Sequence, residues 1–441
     1  MLALLRKGSL VGMLKLLGAL SGLAFTLAVA WGFGAASGTD ALFAAMVLPV
    51  GVWQATVFIV AQVSVPYLIS CADGDPKDEA DFLGQMSLWI AVIGGAAMAA
   101  AFFAPGALLA VVAPGLAAAT KAEAAGFLRT LAPVFPLTLL AGLLTGLLYS
   151  RQRFFVAEVA QLLWKFAPLV VLAFPPTRTL AALAWATAAG SALRLGLLFV
   201  ALGPTSRRGL VPRNAYRAAT PVFLRSLFKT EGALMGCDWV LQILCNALAS
   251  TLSPGALTLF NYADRTARTA PVLLMRGIGV VLLPTLSRRI RSDGDRGWGF
   301  IHKLLGPLGG FGLAIGGLAF LFAPLLAQVF ALTGKMAADQ VDTFAAVVRG
   351  FAAGLPATIL VMGLQTGFFL NLSKAPLLMS NGAQMLVVAC VWWLLPSHDP
   401  AQLAWLLAVS LFVRLGVLYG FFRSAGAASQ RIVPQAERPK T

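Results

Sequence analysis

The amino-acid sequence predicts an all-α, polytopic membrane helical bundle of about twelve transmembrane helices. These fall into two six-helix lobes related by a pseudo-two-fold axis along the membrane normal. Three observations predict this architecture. Only 11% of the 441 residues are charged and 59% are hydrophobic, with a mean hydropathy of +0.84. A soluble domain is about one-quarter charged, because its surface faces water. The apolar residues also run in blocks of about twenty or more, long enough to cross a hydrocarbon core of about 30 Å. Finally, the second half of the chain repeats features of the first at a spacing of about 220 residues. Alternating ten-residue strands are absent, so the backbone must be satisfied within helices and not in a barrel.

Taken in order, the blocks place spans at 10–33, 41–70, 82–112, 127–150, 155–174 and 179–203, then at 220–251, 256–286, 300–332, 343–372, 375–396 and 400–423. Several exceed the roughly 20 residues that a bilayer requires, so tilt or protrusion is expected. Pro49, Pro136, Pro271 and Pro356 lie inside spans. Each lacks an N–H and crowds the preceding turn, so each marks a kink. Arg6 and Lys7 precede an apolar run that continues past about 20 residues without a convincing cleavage site. That run reads as the first helix and not as a removed signal peptide.

Lys and Arg set the orientation. With the N-terminus inside, the cytoplasmic segments and span ends hold eighteen of them, including Arg151, Arg153, Arg207, Arg208, Arg288 and Arg289. The opposite loops hold Lys121, Arg178 and Lys335. Cytoplasmic loops carry this excess, so both termini are expected in the cytoplasm, with a multi-pass chain in a cell inner membrane. The net charge of +16 therefore reads as topology determinants beside an anionic leaflet, with membrane lipids and not nucleic acid as partners. Cys71, Cys237, Cys245 and Cys390 form no CxxC pair, and His302 and His398 are the two histidines. No metal, redox pair or other cofactor is expected.

The repeat is readable residue by residue. Pro136-Leu-Thr138 precedes Gly142-Leu-Leu-Thr145-Gly146 in span four, and Pro356-Ala-Thr358 precedes Gly363-Leu-Gln-Thr366-Gly367 in span ten. Pro66-Tyr-Leu near the end of span two matches Pro284-Thr-Leu near the end of span eight. Six helices separate the copies, so both have the same orientation and an axis along the membrane normal relates them. The lobes are expected at 1–210 and 211–441, joined by the basic loop 204–219, with a short basic tail on the second.

Charges within spans cost roughly 2.5–3.5 kcal/mol each on insertion, so each needs a reason. Span eight carries Asp264, Arg265, Arg268 and Arg276. At about 100° per residue, Arg265 and Arg276 differ by about 20° in azimuth, with Arg268 within about 80° of both; they form one cationic stripe. Such a stripe can face a water-filled cavity and grip phosphate, since guanidinium matches phosphate oxygens two at a time. It can equally pair with Glu231, Asp238 and Asp264 and hold a lobe together. Asp264 and Arg265 are sequence neighbours and do not face each other, so each needs another partner. Arg225 and Lys229, at i and i+4, can bind substrate or snorkel. Lys15, Lys165, Arg194, Arg349 and Arg414 are single intramembrane cations with snorkelling or structural readings, Lys15 being the functional candidate because it is the cation within the first span. Asp238 and Glu231 on span seven and Asn381 on span eleven are candidates for binding a coupling Na⁺ or H⁺, a structural ion pair being the competing reading for Asp238. A membrane enzyme would need a sizeable extramembrane loop or a carboxylate pair with a base. No loop exceeds about 20 residues on these spans, which disfavours catalysis. The loop Cys71-Ala-Asp-Gly-Asp-Pro-Lys-Asp-Glu lacks the basic motif expected after span two of a major facilitator.

Ala249-Ser-Thr-Leu-Ser-Pro-Gly255, Asn261-Tyr262-Ala263-Asp264-Arg265 and Leu282-Leu283-Pro284-Thr-Leu-Ser287 together resemble the lipid II flippase (MurJ/MviN) family of the multidrug/oligosaccharide-lipid/polysaccharide exporter superfamily. Gly32-Phe33-Gly34-Ala35, Gly38-Thr39-Asp40-Ala41-Leu42-Phe43, Leu48-Pro49 and Val65-Pro66 are similar to its pattern in placement. The resemblance implies alternating-access export of a polyprenyl-pyrophosphate-linked saccharide, with Arg265, Arg268, Arg276, Asp264, Lys15 and Asp40 as substrate-binding candidates. A drug antiporter of the same superfamily and a transport-inactive scaffold are the alternatives. Relatives that flip lipid II usually carry arginines in the first helix and after the proline of the second. Here those stretches read Leu20-Ser21-Gly22-Leu23-Ala24-Phe25-Thr26 and Pro49-Val50-Gly51-Val52-Trp53, which makes a related lipid-linked saccharide a plausible cargo beside lipid II. Typical relatives also have two further helices, which this length does not accommodate.

Overall fold

The computed structural model describes residues 2–59, 64–65, 68–69, 76–212, 233–269, 271, 298–370, 375–395 and 398–432. Among these the chain is helical without strands. The helices are α1 (Leu2–Phe33), α2 (Ser37–Ile59), α3 (Pro76–Phe103), α4 (Pro105–Val112), α5 (Ala118–Leu131), α6 (Val134–Ser150), α7 (Phe154–Ala173), α8 (Leu180–Ala201) and α9 (Pro204–Gly209). There follow α10 (Ala233–Ser250), α11 (256–269), α12 (Trp298–Leu321), α13 (Ala323–Ala331), α14 (Ala338–Leu370), α15 (Ala375–Trp392) and α16 (Pro400–Ile432). Nine helical stretches among the described residues are long and apolar enough to cross a membrane. They fall on nine of the twelve expected spans; spans two, seven and eight are described in part, by α2, α10 and α11. The protein is a polytopic α-helical membrane bundle.

The helix breaks differ from the expected ones for a local reason. Span three was expected as one helix over 82–112, but α3 stops at Phe103 and α4 begins at Pro105. Span nine, expected over 300–332, breaks likewise between α12 and α13. Both breaks fall at Phe-Ala-Pro, residues 103–105 and 322–324. Proline cannot donate the next backbone bond, but it fits the first turn of a new helix. Span four carries its break at Ala132-Pro133, ahead of the expected kink at Pro136. The repeat extends into packing. A Cβ on Gly94 of α3 would come within 2.9 Å of the Pro136 Cα, and one on Gly312 of α12 within 2.8 Å of the Pro356 Cα. In each half, glycine lets a helix lie directly on the proline of the next span.

Contacts divide the chain into two compact units, Met1–Tyr262 with Phe330–Ala337, and Ala263–Val329 with Ala338–Thr441. In the first, α7 packs on α1 and α8, α2 on α5, and α3 on α6. Its core cluster includes Leu68, Phe82, Leu83, Leu144, Leu147 and Leu198, all fully or almost fully buried. In the second, α14 packs on α12 and α16, and α15 on α16. Within the first unit α10 packs on α2 and α4, and the start of α11 is tied to α2.

Candidate functional site

That tie is built on Asp40. α1 ends at Gly34, whose φ of +67° is the left-handed conformation that closes a helix and that only glycine adopts freely. The chain turns and α2 begins, placing Asp40 in its first turn. The carboxylate is buried and accepts three hydrogen bonds from the start of α11: Gly255 N–H at 2.6 Å, Thr258 N–H at 2.8 Å and Thr258 Oγ1–H at 2.6 Å. It thus caps a helix more than 200 positions away in sequence, supplying the anion that helix N-termini favour. One turn on, the fully buried Tyr262 donates its hydroxyl to the Gly34 carbonyl at 2.8 Å and sets its ring edge-on to Phe43. Asn261 bonds Asn246 of α10 at 3.0 Å. Asp40 was expected to touch substrate; its two oxygens are instead engaged in a buried cap. The family-like residues Asp40, Asn261 and Tyr262 weld α1, α2, α10 and α11 together.

A second polar cluster lies between α1, α6, α7 and α8. Glu158, in the second turn of α7, is buried and is the one carboxylate of that helix. Its Oε1 accepts the Tyr149 hydroxyl of α6 at 2.5 Å and lies 3.6 Å from Lys15 Nζ of α1. Arg194 of α8 is 2% exposed, lies within electrostatic reach of Glu158 and Tyr149, and points Nη2 at Thr145 Oγ1 at 3.5 Å. Lys15 is the member that reaches outward, with 41% of its side chain exposed. Lys165 donates to the Gly18 carbonyl, which assigns it to the α1–α7 seam.

On α11 the pairing left open by the sequence is resolved for one couple. Arg268 Nε lies 2.5 Å from Asp264 Oδ1, one turn earlier. Asp264 is mostly buried, whereas 66% of the Arg268 side chain is exposed. Arg265 is half-buried. Arg276, Glu231, Arg225 and Lys229 lie outside the described residues. Asp238 sits on the exposed side of α10, in the first unit. In the second, Asn381 of α15 is 3% exposed, and neither its Oδ1 nor its Nδ2 has a hydrogen-bond partner among the described residues. A buried amide without partners is costly, which sets Asn381 apart from Asp238, the other described coupling candidate. Arg349 lies over the Phe320 ring at 5.7 Å, and Arg414 donates to Gln384 Oε1 at 3.0 Å; both read as structural.

Glu158 was missed by sequence reasoning. The signal available was a lone carboxylate four residues into an apolar span, a position that also suits an interfacial acid. Tyr149, one residue from the end of α6, carried no signal.

The chain matches the family described as "Lipid II flippase MurJ" over residues 29–433. It is 28% identical over 379 residues to "Lipid II flippase MurJ" of Burkholderia cenocepacia, covering 80% of this chain and 71% of that one. It is 26% identical over 333 residues to "Probable lipid II flippase MurJ" of Rhizobium tropici, covering 69% and 60%. The chain thus spans less than two thirds of the length of some curated relatives. Among solved structures, it superposes on lipid II flippase MurJ in an inward closed conformation with a TM-score of 0.79 at 16% identity, covering 96% of this chain and 91% of that one. It also superposes on an inward-facing multidrug resistance MATE family transporter with a TM-score of 0.80 at 14% identity, covering 96% and 100%. Those likenesses show a shared fold with these transporters. The match across residues 29–433 shows more: this chain belongs to the lipid II flippase MurJ family.

Proposed function

We propose that this protein carries a polyprenyl-pyrophosphate-linked saccharide, lipid II or a close relative of it, across the cytoplasmic membrane by alternating access, without catalysing a reaction. The observation that carries the proposal is Arg268: an arginine with 66% of its side chain exposed on a membrane span cannot rest against hydrocarbon, so it faces water or an anion. Asp264 holds the Nε edge of its guanidinium, and a guanidinium matches phosphate oxygens two at a time. Arg265 is the second anchor. The cargo's polyprenyl tail stays in lipid while its polar head needs a hydrated path and a grip on its charge, which charge-assisted hydrogen bonds of roughly 1.5–3 kcal/mol each supply.

The test is a reconstituted flipping assay comparing lipid II with other polyprenyl-pyrophosphate saccharides. Arg265→Ala should abolish flipping without loss of folding. Arg265→Lys should restore little, because an ammonium does not engage phosphate oxygens two at a time. Full activity of Arg265→Ala would remove the anchor. We further propose that Na⁺ or H⁺ drives the cycle, with Asn381 of the second unit as an oxygen donor to the ion and Asp238 of the first unit as a separate candidate. Asn381→Ala should then abolish the dependence of flipping on an imposed ion gradient. Both termini are proposed to be cytoplasmic. In a cysteine-free background, Arg178→Cys should react with an impermeant thiol reagent from outside, and Asp293→Cys only after permeabilisation; the reverse pattern overturns this topology.

A further inference from the structure

Away from these clusters, the second unit carries a groove of about 670 Å³ between α12, α14 and α16. That volume lies in the range of ligand sites, roughly 300–1,000 Å³. Its base is Leu360 of α14, with the buried Leu364 beneath, its walls are Gly306 of α12 and Phe412 and Gly416 of α16, and Lys303 and Tyr419 stand at one end. Two features separate it from an ordinary seam between helices. First, Gly306 and Gly416 both face open space: a Cβ on either would meet nothing within 4 Å. The slot exists because neither helix fills it. Second, Lys303 is exposed and has no hydrogen-bond or ion-pair partner among the described residues.

Lys303 lies in the second turn of α12, and Tyr419 near the end of the apolar stretch Pro400–Ser424 of α16. Arg423, also exposed, follows Tyr419 by one turn on the same helix face. The polar end of the groove is therefore basic and carries an aromatic ring, as suits the headgroup level of a bilayer. Its inner part is apolar. A ligand matching both ends has a hydrocarbon chain and an anionic head.

We propose that this groove is a binding site for an anionic phospholipid. One acyl chain lies over Leu360 between the two glycines, and the headgroup phosphate rests on Lys303. The lipid comes from the leaflet at the N-terminal end of α12, which the distribution of Lys and Arg makes cytoplasmic and anionic. The site is separate from the cationic segment of α11 and does not depend on what the protein transports.

The test is native mass spectrometry of the full-length protein exchanged between phosphatidylglycerol and phosphatidylcholine, with retained lipid counted per protein. Wild-type protein should retain phosphatidylglycerol in preference to phosphatidylcholine. Lys303→Ala should reduce that preference about fivefold, the effect of one basic residue on an anionic headgroup. Gly416→Leu should remove the retained lipid by filling the slot. It should fold normally, because its side chain enters open space and leucine is a better helix former than glycine. Gly317→Leu is the control: it too faces open space on α12, about 16 Å further along the helix than Gly306, and should retain lipid as wild type does. Thermal melting checks that all variants fold. Equal retention of the two lipids, retention by Gly416→Leu, or equal loss in Gly317→Leu would overturn the proposal. Displacement of phosphatidylglycerol by a polyprenyl phosphate from wild type but not from Gly416→Leu would overturn it too, by assigning the groove to a cargo tail.

Discussion

Two buried arginines occupy matching places in the two halves of this protein, and their surroundings differ. Arg194-Leu-Gly on α8 and Arg414-Leu-Gly on α16 are 220 positions apart. Both side chains are almost fully buried, at 2% and 6% exposure. Arg414 meets a neutral amide, Gln384 Oε1 at 3.0 Å, and that amide in turn donates to Ser410 at 3.4 Å. Arg194 has a hydroxyl, Thr145, at 3.5 Å and the Glu158 carboxylate within electrostatic reach. The repeated element is thus a buried cation held by polar side chains of its own unit. Among the described residues, the first half adds a carboxylate, and with it a link through Glu158 to the half-exposed Lys15 of α1. The difference separates scaffold from working parts: a cation present twice is explained by the fold, whereas a charge chain seen once among the described residues needs another explanation.

The largest effect that could break this comparison is at Glu158. Glu158→Gln leaves Lys15 and Arg194 facing an uncharged amide in a low-dielectric region, and losing one partner of a buried charge set costs about 3 kcal/mol or more. A clear fall in the melting temperature of the detergent-purified protein is expected. The reciprocal change, Gln384→Glu, would give Arg414 the carboxylate that Arg194 has; it should cost less than about 1 kcal/mol, since the new charge arrives opposite a cation. Equal destabilisation by the two substitutions would mean that the clusters do not differ in the way their residues indicate.

A smaller effect sharpens the same point at the arginines themselves. Arg194→Met leaves Glu158 buried with only Tyr149 and the half-exposed Lys15 to hold its charge, and about 2 kcal/mol of destabilisation is expected. Arg414→Met leaves a neutral glutamine and fills the space with an apolar chain of similar length, which should be close to neutral. If Arg414→Met were the more damaging, the second cluster would contain a negative partner for Arg414 and the two halves would be alike.

How far the sequence foretold these arrangements follows from the range of the interactions. Spans are local, set by runs of apolar residues, so α1, α3, α6 to α8 and α12 to α16 fall where the hydropathy puts them. The internal repeat was legible in Pro136 and Pro356, and their contacts with Gly94 and Gly312 show the packing that the repeat serves. The Phe-Ala-Pro breaks were legible in principle, since proline stops a helix wherever it appears. Asp40 was not: its partners Gly255 and Thr258 lie 215 and 218 positions away, and nothing local distinguishes an aspartate that caps a distant helix from one that faces a cargo. The Asp264–Arg268 pair lies at i, i+4 and could have been read from helical geometry alone. Glu158 resisted for the opposite reason. Its partners come from three other helices, and its single charge looked like one more residue near a span end.

The smallest stability effect, and the most informative for function, is expected at Lys15. Its pairing with Glu158 is long, at 3.6 Å, and 41% of its side chain is exposed, so solvent screens the attraction and little stability depends on it. Oε1 of Glu158 is already held by Tyr149 at 2.5 Å, and Arg194 remains nearby to balance the carboxylate when Lys15 leaves. The Lys15–Glu158 pairing is therefore weak, and an anion with more than one charge would compete effectively with Glu158 for Lys15. Lys15→Ala should shift the melting temperature little, in contrast with Glu158→Gln, yet reduce flipping of a pyrophosphate-linked saccharide about tenfold, the loss of one charge-assisted contact. Lys15→Arg should retain most of the activity, because the position requires reach and charge. A fall in stability from Lys15→Ala as large as that from Glu158→Gln, with flipping lost only in proportion to unfolded protein, would place Lys15 in the scaffold with Arg194 and Arg414 and leave the first unit without a movable cation at this cluster.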